Sequence, residues 1–179
     1  MRKSLILLCL VLLCGCVPFG KDKTKDYSLK YENYLETIID NSKQVTKNIP
    51  FDWKFKMVKN EDKYIYEVAI TNPKVAMSNI QFLVVDINQI SEDTVAPCLG
   101  IFEEESYNMI PNQANPEKGY YGGIGLNGET TKSKFTLNCL VVYKDKNQND
   151  NYIYFIIIII NKLNKYRINS YKIHYAIFF

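Results

Sequence analysis

Residues 51–73 read FDWKFKMVKNEDKYIYEVAITNP, with a hydrophobic period of two on either side of a polar break. Phe51, Trp53, Phe55 and Met57 alternate with Asp52, Lys54 and Lys56. Beyond Asn60-Glu61-Asp62, Tyr64, Tyr66, Val68 and Ile70 alternate with Ile65, Glu67 and Ala69. Successive side chains of a strand point to opposite faces, so the pattern predicts two half-buried antiparallel strands joined by a turn. Asn72-Pro73 ends the second strand, because proline has no N–H to give to a ladder.

Towards the C-terminus the β pattern continues. NIQFLVVDIN (residues 79–88) places Ile80, Phe82 and Val84 on one face and Leu83, Val85 and Ile87 on the other, so this strand is expected to be central or covered on both sides. PCLGIF, YNMIP and GYYGGIG are shorter strand candidates. KFTLNCLVVYKD turns Phe135, Leu137, Cys139, Val141 and Tyr143 inward and Thr136 and Asn138 outward, and the polar turn DKNQND leads into the return strand NYIYFIIIII. About seven or eight strands over roughly 110 residues, with a turn signal every 8 to 12, describe one β-sandwich or barrel.

Within this region YEVAITNPKVAMSNIQFLVVDIN resembles the strand-turn-strand pattern of the immunoglobulin-like modules of many Gram-positive surface lipoproteins. The resemblance implies a mainly β fold, an immunoglobulin-like antiparallel β-sandwich over residues 50–160. Cys98 and Cys139 do not bracket a tryptophan as an antibody-type domain would, since Trp53, the single tryptophan, precedes both.

Towards the N-terminus the period changes to three and four. Tyr31, Tyr34, Leu35, Ile38, Ile39 and Val45 form a stripe between Glu32, Glu36, Asp40 and Lys43, predicting an amphipathic helix over 28–48 with Ser28 as its N-cap. Pro50 prevents its continuation. The stripe needs an apolar partner, either a sheet face or another protein.

The first residues are of another kind. Arg2 and Lys3 precede the apolar run from Leu5 to Leu13, which at about half of the ~20 residues of a bilayer span is too short to remain as one. A basic start, an apolar middle and small residues at the end form a secretory signal peptide. Its end, Leu13-Cys14-Gly15-Cys16, resembles the lipobox of bacterial lipoproteins. That resemblance implies cleavage between Gly15 and Cys16 and an acylated Cys16 as the first mature residue. It makes residues 1–15 the signal peptide and 16–27 a lipidated cysteine with its tether. The chain is then expected on the extracytoplasmic face of the cell membrane, held by lipid through Cys16. A composition rich in residues with A- and T-only codons points to a Gram-positive bacterium.

Without Arg2 and Lys3 the net charge of +3 falls close to balance, which argues against nucleic acid as a partner. Cys98 and Cys139 are left as free thiols, either paired in a disulfide of an oxidising compartment or buried separately. Residues 161–179 have no acidic side chain and form a basic low-complexity tail, disordered or read out of frame.

Signals for chemistry are weak. Gly123-x-Gly125-x-x-Gly128 has the spacing of a dinucleotide turn, but no helix start follows it and a flexible turn between strands fits better. Asp145–Asp150 resembles the first half of a calcium loop, yet Asp150 stands where glycine is needed and Ile156 where glutamate is needed, leaving a hairpin turn. Glu103, Glu104 and Glu105, with Glu92 and Asp93, read as a solvated loop. The single histidine, His174, lies in the tail, so neither cysteine has a dependable base and no catalytic residue, metal or cofactor is expected. Tyr120 and Tyr121 beside glycines form a possible aromatic platform for a protein, peptide or glycan. The expected role is a non-catalytic surface binding or envelope-associated module. The alternatives are a small envelope enzyme or enzyme accessory, and a solute-binding lipoprotein of a transporter.

Overall fold

The computed structural model describes residues 23–91 and 93–160, and the two-residue strand Tyr175–Ala176. The chain forms a β-sandwich with a helix on one outer face. In chain order the elements are α1 (Lys23–Asp40), β1 (Asp52–Asn60), β2 (Lys63–Thr71), β3 (Ser78–Val85), β4 (Cys98–Leu99), β5 (Gly123–Thr130), β6 (Phe135–Lys144), β7 (Asp150–Ile159) and β8 (Tyr175–Ala176). One sheet has the order β1-β2-β5 and the other β4-β3-β6-β7-β8. All pairs are antiparallel except β7–β8. The chain changes sheet between β2 and β3, β4 and β5, and β5 and β6, so no sheet is built from consecutive strands alone.

The two sheets meet through their alternating apolar positions. Val68 and Ile70 of β2, Phe82 and Val84 of β3, Leu137 and Val141 of β6, and Phe155 and Ile157 of β7 form one continuous core. Trp53 of β1 stacks on Phe155 at 5.5 Å between ring centroids, tying the first strand to the far sheet. The opposite parity of β3 and β6 is equally apolar. Leu83, Val85, Leu140 and Val142 lie on the outer face, where Ile38, Tyr31, Tyr34 and Leu35 of α1 pack on them. The predicted double coverage of residues 79–88 is therefore met by the predicted helix.

The helix bounds differ from the 28–48 that periodicity predicts. Helix α1 begins at Lys23, inside the expected tether, with Asp26 in its first turn, where an acidic side chain complements the dipole. Ser28 is therefore no N-cap; its Oγ donates to Glu32 Oε1 one turn on, at 3.2 Å. Beyond Asp40 the chain leaves the axis because other partners claim it. Asn41 Nδ2 donates to Thr37 O at 2.8 Å, and Asn138 Nδ2 of β6 donates to Ser42 O at 2.6 Å. Thr46 then pairs with the edge of β7 away from β6: its N–H donates to Tyr154 O at 2.8 Å and its Oγ1 accepts from Tyr154 N at 2.9 Å. Ile39 and Val45, which the periodicity places in the buried stripe, are exposed.

The short candidates resolve unevenly. PCLGIF holds β4, and YNMIP contributes backbone bonds to the start of β3, Met77 N to Met109 O at 2.9 Å and Ile80 N to Tyr107 O at 2.8 Å. Gly100 after β4 is required: its φ is 72° and an added Cβ would collide with Ile80 O. GYYGGIG opens β5, so Gly123, Gly125 and Gly128 lie in a strand and not in a flexible turn. The expectations for residues 1–22 lie outside the described residues, as do those for the tail and His174, apart from Tyr175–Ala176.

Ile38 carries the buried centre of the helix contact at 1 % exposure, whereas Leu29 on the same helix is 55 % exposed. Replacing Ile38 by Ala is expected to lower unfolding free energy by about 2–4 kcal/mol, and Leu29→Ala by less than about 0.5 kcal/mol. Urea unfolding of both variants checks the difference.

Candidate functional site

At one end of the sandwich, the long connection from β3 to β4 stands away from the sheets and leaves a cleft of about 480 Å³. Asp86 opens that connection directly after the last apolar residue of β3. Its Oδ1 accepts from Asn88 N at 3.0 Å and its Oδ2 from Gln89 Nε2 at 2.5 Å, folding the loop back over the end of the strand. Gln89 Nε2 also reaches Thr130 Oγ1 at the end of β5, at 3.4 Å. The far side of the loop is held by the helix, where Tyr31 Oη accepts from Ala96 N at 2.9 Å. Three parts of the chain that are distant in sequence, α1, the end of β3 with its loop, and β5, therefore meet at this cleft.

Its floor is apolar, formed by Val84, Phe135 and Leu137, while Ile90 and Val95 stand exposed at its rim. Tyr66 of β2 crosses it. In the β2–β5 register Tyr66 faces Gly128, and a Cβ on Gly128 would overlap the phenol ring. The missing side chain gives the ring room to lie across the neighbouring strand, with Phe135 at 5.6 Å and Phe55 at 6.2 Å between centroids. Burial pushes the Tyr66 phenol up to about 12, with smaller contributions from Cys139 and Asp86. The hydroxyl therefore stays protonated at neutral pH and can donate as well as accept. The cleft thus combines an apolar floor with the Asp86 carboxylate, the Gln89 amide and the hydroxyls of Tyr66 and Thr130 among its polar lining.

Sequence reasoning assigns Tyr66 to the core and gives no role to Asp86, Gln89 or Thr130. A readable signal does exist. An acidic residue directly ends an apolar strand, and a glycine stands at an inward position of β5 between Leu126 and Thr130.

The sequence-derived site residues lie elsewhere. Cys98 and Cys139 are both free thiols, not a disulfide. Cys98 sits opposite Leu83 and Cys139 opposite Val84, on strands that flank β3 from its two sides. Two strand spacings separate the cysteines by about 9–10 Å, and they face opposite sides of the sheet, beyond the reach of a disulfide. Burial pushes the Cys98 thiol up to about 11 and that of Cys139 well above its ordinary value.

Tyr120 and Tyr121 are half-buried and do not form an open platform. Tyr121 packs on Tyr107 at 5.4 Å, and the backbone of Tyr120 pairs with that of Asn115. Asp145 caps its own turn, with Oδ1 accepting from Asn147 N at 2.7 Å and Asn149 N at 3.0 Å, and these bonds hold its carboxyl below the usual range. Glu103, Glu104 and Glu105 are exposed. Among the described residues no group of three or more His, Cys, Asp or Glu side chains could hold a metal.

No family model matches the sequence, and no curated protein does. Among solved structures, the chain is similar to an X-ray structure of the Northeast Structural Genomics Consortium target SoR45. That match has 12 % identity and a TM-score of 0.41, over 72 % of this chain and 98 % of the other. It is also similar to a Bordetella pertussis protein described as ApaA, with 10 % identity and a TM-score of 0.35, over 66 % and 99 % of the two chains.

Gly128→Ala is expected to destabilise the fold by about 1–3 kcal/mol through overlap with the Tyr66 ring. In a Tyr66→Leu background the cost should shrink. A double-mutant cycle in urea measures the coupling, and strict additivity would contradict the contact. A second outcome concerns pH. The Tyr66 and Tyr34 phenols, both held to about 12 by burial, exceed the ordinary value of 10.0. Their stabilisation is complete below about pH 10 and is lost as pH rises towards about 12, because the unfolded chain sheds those protons first. Urea midpoints compared between about pH 8 and about pH 11 should fall, and by less in Tyr66→Phe.

Proposed function

We propose that the chain is a lipid-anchored extracytoplasmic protein whose immunoglobulin-like β-sandwich is a non-catalytic binding module, with its ligand held in the cleft beneath the β3–β4 connection. The observation that carries the reading is the cleft itself. Its volume of about 480 Å³ falls within the ~300–1,000 Å³ of small-molecule sites, and its apolar floor with a few convergent polar groups has their usual character. The immunoglobulin-like arrangement is supported by the strand order, β1-β2-β5 facing β4-β3-β6-β7 with repeated changes of sheet.

A binding role suits the side chains present. Both thiols stay protonated at neutral pH, and the Asp86 carboxylate is engaged by its own loop through Asn88 and Gln89. Neither arrangement activates a nucleophile.

The anchoring half of the reading rests on Leu13-Cys14-Gly15-Cys16 behind a basic and apolar leader. Two acyl chains at ~0.8 kcal/mol per buried methylene hold a protein to a bilayer where one does not. No described helix is long and apolar enough to cross a membrane. Expressed in a bacterium, the wild-type chain should partition into detergent and incorporate labelled fatty acid. Cys16→Ala should accumulate as unprocessed precursor without label. Normal maturation and unchanged labelling of that variant would sink the proposal.

A further inference from the structure

Resting on the reading of the cleft as a binding site, we infer that its ligand is a small amphipathic cation: a protonated amine carrying an aliphatic or aromatic group. The argument begins with the charges that face the cleft. Of its two acidic lining residues, Asp86 follows the inward positions Phe82 and Val84, whereas Glu129 stands at an outward position of β5; no lysine or arginine lines the cleft among the described residues. Glu129 is already offset, since Lys63 Nζ lies 2.7 Å from its Oε1. The bonds to Asp86 come from neutral donors, the Asn88 N–H at 3.0 Å and the Gln89 amide at 2.5 Å. The residue is half-buried at the end of β3.

A carboxylate accepts only, with about four lone-pair sites over two oxygens. The two bonds from the loop leave acceptor capacity on both oxygens. A further polar group agrees with a donor-rich ligand. Tyr66 presents a neutral phenol whose oxygen can accept. An anion entering here would meet the Asp86 carboxylate, whereas an ammonium group would find a charge-assisted partner.

The remainder of the cleft selects the rest of the molecule. Val84, Phe135 and Leu137 offer an apolar floor beside the Tyr66 ring. A bare inorganic cation would leave that floor unused. A hydrophobic amine satisfies both ends of the site.

The test uses the purified full-length chain and three probes of equal length: n-hexylammonium, n-hexanol and n-hexanoate. Hexylammonium should shift the backbone amide resonances of Asn127, Gly128 and Thr130 saturably, and more tightly than hexanol. Hexanoate should bind most weakly. Asp86→Asn keeps an acceptor for the Asn88 N–H, and should weaken hexylammonium by about tenfold or more while leaving hexanol unchanged. In the wild-type chain added salt should weaken hexylammonium and spare hexanol, a readout that does not depend on any variant folding. Equal binding of hexylammonium and hexanol, or indifference to Asp86→Asn, overturns the cation assignment while the cleft stands as a site. Failure of both hexylammonium and hexanol to shift these residues removes the cleft reading itself.

Discussion

The β3–β6–β7 portion of the larger sheet is apolar on both faces, and most of the architecture follows from that constraint. A sheet with one solvated face needs one apolar parity, but here Phe82 and Leu83 are both buried, as are Leu140 and Val141. One parity is covered by the three-stranded sheet. The other would expose Leu83, Val85, Leu140 and Val142 without the helix, a continuous apolar patch of a kind that promotes association. Helix α1 is therefore an integral third layer. Its polar anchors, Lys30 to Gly100 O at 2.7 Å and Tyr34 to Gln81 at 3.3 Å, fix its direction on a surface that apolar contact alone would leave free to slide.

The cleft is a by-product of the same layering. Because α1 reaches the β3–β4 connection through Tyr31, the loop is held from outside the sandwich, while Gln89 and Thr130 hold it from the other sheet. The floor comes from core positions of β3 and β6 that run on to the open end. Polar chemistry and apolar packing thus share a border at Tyr66. This residue belongs to the core by burial and to the cleft by its place in the lining.

The strands that were plainest in the sequence are those whose apolar side chains alternate without interruption. Residues 51–73 show their hairpin because Trp53, Phe55, Tyr66 and Val68 keep strict parity across a two-residue turn. The double-sided strand at 79–88 was equally legible. By contrast only the opening of β5 was offered as a short strand candidate, since three of its eight residues are glycines and the surface missing at Gly128 is supplied by a ring from another strand. The helix end was misplaced because Thr46 leaves the helical pattern for Tyr154, 108 residues away, a claim no local period records. The cleft escaped for the same reason: Asp86, Gln89 and Thr130 are ordinary polar residues until three elements converge. The cysteine pair could not be settled from count alone, because only the strand order reveals that β3 runs between them.

The Thr46–Tyr154 pairing also bears on how the chain reaches its native state. A ribosome releases α1 before any strand, yet the sheet that α1 covers is complete only when β7 has emerged, so the helix must wait for most of the chain. Contacts of such long sequence separation place folding among the slower β-rich topologies, on the scale of about milliseconds to seconds. Until then the outer face of β3 and β6 is uncovered. A chain of this design gains from being kept from closing until the last long strand is available.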